Sequence, residues 1–265
     1  AGKEERAGVT YGQAPGFTLP RTILFSVSPD ELLASGREWR DLGIGAFFVT
    51  GVPGDWSADI WSVDGEPWTI GASDETFQAM CRAAELCREL GCELFPTMSF
   101  GRFFDWFDDL AWPRIEDEFR QFGLFARASG CTGVAIDIEY VYPQYHFAWD
   151  GYTYAGYDRT ALVETIRGRM TGVARALYDA FPEAVLLTFP EQGLSLGGLV
   201  HAAWIEEAAR RDAPGGIHLC TEYTYRRPNI DYVFGHAWLC NHVMAMRLSA
   251  DARRYWQEHC SLSAG

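Results

Sequence analysis

The chain has 265 residues, 48% of them hydrophobic and 15% aromatic, enough for a sizeable core in one α/β domain or two small ones. A formal charge of −14 argues against a general nucleic-acid binder, which needs clustered Lys and Arg, and is read here as a solubility charge. No apolar run approaches the ~20 residues that span a bilayer, so neither nucleic acid nor a membrane is an expected partner.

After a lead-in through Pro20, short apolar runs alternate with longer helical patterns. The first run is Thr22–Val27. A helix follows from about Asp30, with Leu32, Leu33, Trp39 and Leu42 apolar and Gly43 as its stop. The second run is Ile44–Val49, continued by a long segment from Gly51 to Gly71 that holds Trp56, Trp61 and Trp68. Residues Asp74–Leu90 read as a strong helix, with acids first, Arg88 in the last turn and Gly91 just beyond. Cys92–Ser99 is the third strand, followed by an aromatic loop with Phe103, Phe104, Trp106 and Phe107. Pro113 suits the first turn of a helix that runs to about Ser129, and Gly133–Glu139 is the fourth strand. The next loop is crowded with rings, among them Tyr142, Tyr145, Trp149 and Tyr157. Asp158 can cap a helix whose apolar face is Leu162, Ile166, Met170, Val173, Leu177 and Phe181. Strand five is Ala184–Phe189 and strand six is Ile217–Glu222; beyond Asn229 the pattern is mostly helical to Cys260.

Strand–helix alternation with crossovers this long requires parallel strands, and nearly continuous apolar strands suit a sheet in which both faces are covered. A doubly wound open sheet shares these features, but it usually carries a Gly-rich phosphate loop after its first strand. The segment Phe25-Ser26-Val27-Ser28-Pro29-Asp30 is nothing of the kind. The expected fold is therefore a (β/α)8 TIM barrel, a single domain over residues 1–265, with six strand–helix units visible where a full barrel has eight. Two explanations of the shortfall stay open. Ser261–Gly265 begins a seventh strand and the chain is an incomplete copy of a longer protein, or residues 237–248 hold a strand that reads as helix.

Active sites of such barrels lie at the C-terminal strand ends. Acids stand there on three strands: Asp137 and Glu139 on the fourth, Glu191 after the fifth and Glu222 on the sixth. Residues two apart on a strand share a face ~6–7 Å apart, so Asp137 and Glu139 should both point into the mouth. Their mutual repulsion raises one pKa and supplies a proton donor near neutral pH. Glu139, nearer the mouth, is the expected general acid, and Asp137 orients it or stabilises developing positive charge. Of the remaining acids, Glu222 is the first choice to face Glu139 across the mouth and Glu191 the second.

The segment Gly133-Val134-Ala135-Ile136-Asp137-Ile138-Glu139-Tyr140 resembles the fourth-strand signature of chitinase-type glycoside hydrolases, which ends in D-x-E and an aromatic residue, with the glutamate as acid. Muramidase-type lysozymes with irregular barrels carry a similar D-x-E. The two earlier aspartates of the chitinase pattern fall on Thr132 and Ala135 here. The resemblance implies the acid role for Glu139 and the supporting role for Asp137.

Trp56, Trp61, Trp106, Tyr142, Tyr145 and Trp149 fall on loops at the expected catalytic end, where ring faces stack on sugar C–H faces. His146, Tyr223 and Tyr225 are further candidates for binding a carbohydrate substrate. Two other readings share these residues: a metal-dependent barrel hydrolase or lyase with the four acids as oxygen ligands, and a non-catalytic glycan-binding protein. No cofactor or resident metal is expected, since the strands lack the His ligands common where metal activates water. Seven scattered cysteines without a C-x-x-C pair read as structural thiols of a reducing compartment, so a cytoplasmic location is expected, with secretion the alternative if a leader was trimmed.

Overall fold

In the computed structural model, residues 22–50, 52, 75–99, 105–138, 157–189, 197–222, 224 and 229–264 are described. The apolar runs form strands β1 (Thr22–Val27), β2 (Ile44–Val49), β3 (Glu93–Ser99), β4 (Gly133–Asp137), β5 (Val185–Phe189), β6 (Ile217–Thr221) and β7 (Ser261–Ala264). Between them lie helices α1 (Pro29–Asp41), α2 (Glu75–Leu90), α3 (Trp112–Ser129), α4 (Arg159–Ala180), α5 (Gly197–Arg211), α6 (Ile230–Arg247) and α7 (Ala250–His259).

Local chemistry sets the helix ends. Ser28 Oγ accepts from the Glu31 amide at 3.2 Å, and the Glu31 carboxylate accepts from the Ser28 amide at 2.8 Å, a reciprocal capping box that starts α1. Asp158 caps α4 through the Ala161 amide at 2.8 Å, as its position before the helical pattern predicts. Helix α3 stops at Gly130, whose φ of 85° is a left-handed conformation that favours glycine.

All seven strands are parallel and stand in the order β1-β2-β3-β4-β5-β6-β7. An unbroken sequential order has no switch point, so it excludes the doubly wound arrangement. Phe25 on β1 packs edge-on against Phe189 on β5, ring centroids 5.1 Å apart, although three strands separate them along the sheet. Only a strongly curled sheet brings those two strands together. The fold is a (β/α) barrel of the TIM type with seven strands among the described residues.

Alternation along each strand divides the core in two. Phe47, Val49, Leu94, Met98, Val134, Ile136, Leu186 and Leu219 face the helices and pack against residues such as Leu32, Met80, Phe122, Ile166, Leu177 and Ile205. The other face encloses Ala46, Phe48, Phe95, Ala135, Leu187 and Phe189, with Ile23, Val185 and Cys220 against them. Gly133 lets β4 approach β5: a Cβ there would stand 1.9 Å from the Val185 carbonyl oxygen.

Three features differ from the sequence reading. Helix α5 was given no assignment; it is buried on nearly every side, from Leu199, Val200 and His201 to Trp204, Ile205 and Ala208, so it shows no clean apolar stripe. The helical tract after Asn229 is two helices broken at Leu248-Ser249. Ser249 caps α7 and donates from its amide and hydroxyl to the Glu206 carboxylate on α5, at 2.6 and 2.8 Å. Residues 237–248 hold no strand, being helical in α6 to Arg247, whereas Ser261–Ala264 does form the seventh, in register with β6 from His218↔Ser261 to Thr221↔Ala264.

Outside the barrel, α4 and α5 are clamped by Glu207, almost fully buried. Arg210 and Arg211 approach its carboxylate at 2.5 and 2.7 Å, and Arg211 also reaches Asp179 on α4 at 2.7 Å. Burial alone would raise the Glu207 pKa, but hydrogen bonds from the two guanidinium groups outweigh it and hold it at about 2. None of the seven cysteines forms a disulfide, and among the described residues no helix is long and apolar enough to cross a membrane.

Candidate active site at the barrel mouth

The inward face of the strands gives the site its floor. Phe48 and Phe189 meet edge-to-face at 4.9 Å, and Phe25 tilts onto Phe48 at 5.1 Å. These rings close the interior from β1, β2 and β5 and leave the polar groups to the other strands. Sequence reasoning missed this floor because continuous apolar runs do not reveal which residues turn inward. Thr97 on β3 also belongs to the inward set, two residues beyond Phe95; it is fully buried and its hydroxyl has no hydrogen-bond partner among the described residues.

Asp137 closes β4. It follows Ala135 by two residues, so it shares the inward face, and it stands in register with Ser99 of β3 and Phe189 of β5. Its residue is 1% exposed, at the level of the phenylalanine floor rather than in open solvent. Strand parity assigns it to the inward side, and its burial agrees with that assignment. Depth makes Asp137 a group that acts on its neighbours more readily than one that reaches a large substrate itself.

Glu222 follows β6, two residues past Cys220, and is half-buried. Cys220 faces inward and takes a hydrogen bond with Ser263 on β7. Burial pushes its thiol up to about 11, and the negative charge of nearby Glu222 adds to that rise. Lower on the same strand pair, His218 Nδ1 and Ser261 Oγ are 2.7 Å apart. The β6–β7 wall is thus polar where the β1, β2 and β5 wall is aromatic.

Trp106 was expected to offer a ring to substrate, and the structure corrects this. It is fully buried and stacks on Trp112 at the start of α3, centroids 5.2 Å apart and planes 15° from parallel. Arg169 of α4 lies 5.5 Å over the Trp112 ring, donates to the Trp106 carbonyl and pairs with Asp109. The turn after β3 is pinned to the helix layer by these contacts, and Trp106 is its packing. Nearby, Phe107 stacks on Tyr157 with centroids 3.7 Å apart, joining that turn to the entrance of α4.

Glu139, Glu191, Trp56, Trp61, Tyr142, Tyr145, His146, Trp149, Tyr223 and Tyr225 lie outside the described residues. Of the four acids, Asp137 and Glu222 are therefore the two that the structure locates, at the end of β4 and just after β6, with β5 between those strands. Among the described residues no group of three or more His, Cys, Asp or Glu is arranged to hold a metal ion.

No family profile matches the sequence, and no curated protein matches it in sequence. Solved structures do share its shape. Morphinone reductase superposes with a TM-score of 0.55 at 12% identity, covering 92% of this chain and 81% of its own. An O-GlcNAc hydrolase from Thermobaculum terrenum superposes with a TM-score of 0.51 at 11% identity, over 92% of this chain and 54% of that one. A GH18 chitinase from Pseudoalteromonas aurantia is similar at a TM-score of 0.48 and 12% identity, covering 92% of this chain and 79% of its own. The reductase and the O-GlcNAc hydrolase are both barrels, so that likeness establishes the fold and leaves the chemistry to the site.

Proposed function

We propose that the chain is a glycoside hydrolase that cuts a glycosidic bond in an oligo- or polysaccharide by carboxylate chemistry at the barrel mouth. The observation that carries this reading is the buried Asp137 at the C-terminal end of β4, with the half-buried Glu222 just past the C-terminal end of β6. A carboxylate at that depth is costly to bury where apolar filling would serve, which marks it as a functional candidate.

In this reading Glu139, two residues beyond Asp137, is the general acid that protonates the departing oxygen. Asp137 below it holds its proton in place and favours the positive charge that grows on the sugar ring. The second carboxylate must stand across the scissile bond from Glu139, at ~5–5.5 Å for a retaining enzyme or ~6.5–9.5 Å for an inverting one. Glu222 is the second carboxylate, as base or nucleophile, and Glu191 is its alternative. Trp56, Trp61, Tyr142, Tyr145, Trp149, Tyr223 and Tyr225 supply stacking faces, and His146 a polar contact; Trp106 is not among them.

The test is a hydrolysis screen over aryl glycosides and natural glycans, with Glu139→Gln and Glu222→Gln beside the parent chain. Each variant should lose turnover by a factor of about 100 or more while retaining glycan binding. Equal turnover by parent and Glu139→Gln overturns the assignment. Binding of glycans without cleavage by the parent identifies a lectin-like role, and loss of turnover on adding a chelator identifies a metal-dependent enzyme; either result replaces the proposal.

A further inference from the structure

Helix α6 is built unlike the others. Among its residues only Cys240 and Met244 are buried, on one side. The opposite side shows Phe234, Trp238 and Met246 to solvent, at 67%, 67% and 66%. A row of exposed residues runs along the middle of that side: Asp231, Gly235, Trp238 and His242. Their spacings are four, three and four, so they form one nearly straight stripe on the helix. The same order of spacings is met from either end. A stripe with that property can meet a copy of itself running the opposite way.

We propose that this face pairs with α6 of a second copy of the chain, antiparallel about a two-fold axis that passes between His236 and Ala237. In that register Asp231 of each copy lies level with His242 of the other, and Trp238 lies level with Gly235. The chemistry is complementary at both levels. The Asp231 carboxylate accepts a hydrogen bond from the facing imidazole and attracts its protonated form. The indole of Trp238 needs a gap in the facing helix, and Gly235 provides one: a Cβ built there meets nothing within 4 Å in its own chain. Trp238 also stacks on His242 one turn later, centroids 5.3 Å apart and planes 7° from parallel, so the large ring and the imidazole are already ordered on the isolated helix. Each contact occurs twice, as an isologous interface demands. One helix pair is small beside ordinary interfaces, so the dimer is weak and responds to concentration.

Sedimentation or light scattering of the 265-residue chain, from low to high micromolar concentration, tests this. The parent should move from the mass of one chain toward that of two. Gly235→Gln fills the gap at an exposed helix position where nothing in the same chain is crowded, and it should hold the protein monomeric with its circular dichroism unchanged. Asp231→Lys should do the same, and Asp231→Lys with His242→Glu, which exchanges the charges, should restore the dimer. A parent that stays monomeric throughout overturns the proposal. A dimer that survives Gly235→Gln and Asp231→Lys overturns it too, because another face then holds the copies. Failure of the exchanged pair to restore association overturns the antiparallel register.

Discussion

At the scale of single residues, what a letter does depends on where its side chain is sent. Gly133 shows how little room the sheet leaves. Its missing Cβ would lie 1.9 Å from the Val185 carbonyl oxygen, so Gly133→Ala must push β4 away from β5 or distort both. Overpacking a rigid backbone contact costs about 1–3 kcal/mol, and urea unfolding of the variant should show a loss toward the upper end of that range. An unchanged midpoint would mean that the two strands yield without cost. The place of Asp137 at the end of a buried strand is legible in the sequence, because it closes the apolar run from Gly133. Trp106 was not legible. A tryptophan in a turn reads the same whether it faces sugar or protein, and only the partners Trp112 and Arg169, six and sixty-three residues away, decide the matter.

At the scale of elements, most boundaries follow from caps and breakers written locally, as with Ser28, Asp158 and Gly130. Helix α5 escaped because burial on nearly all sides erases the periodicity by which a helix is recognised. It also bears the molecule's main ionic clamp. The Glu207 carboxyl titrates near 2 in the folded chain against an ordinary value of 4.5, so the folded state binds its proton less readily than the unfolded state. The clamp therefore stabilises fully above about pH 4.5, and its contribution fades as pH falls toward 2. Glu207→Gln should lower stability at pH 7 by about 2 kcal/mol, and the gap between variant and parent should close on acidification through that window. A gap that stays constant down to pH 2 would assign the loss to packing. Helix α6 presents the reverse case: its apolar letters suggest a buried helix, and the structure leaves three of its largest side chains in solvent.

At the scale of the whole molecule, alternation of strand and helix was enough to read a barrel, while its curvature became visible only where Phe25 meets Phe189. Of the acids read from the sequence, Asp137 ends β4 and Glu222 directly follows β6, positions that the strand pattern alone gives. The molecule is held without covalent cross-links, since none of its cysteines is joined to another. Thermal unfolding in the presence and absence of a reductant should therefore give the same midpoint. A fall on reduction would reveal a disulfide and contradict the structure.

Strand order that repeats chain order has a bearing on how the protein is made. Each strand can hydrogen-bond to the one synthesised just before it, so a nascent chain leaving the ribosome can add units in sequence without waiting for a distant segment. Pulling on the two termini would work through the same list of neighbours in reverse. Among the described residues the outermost strands, β1 and β7, are the ones exposed to peeling, and loss of β1 would also part the rings of Phe25 and Phe189 across the curl.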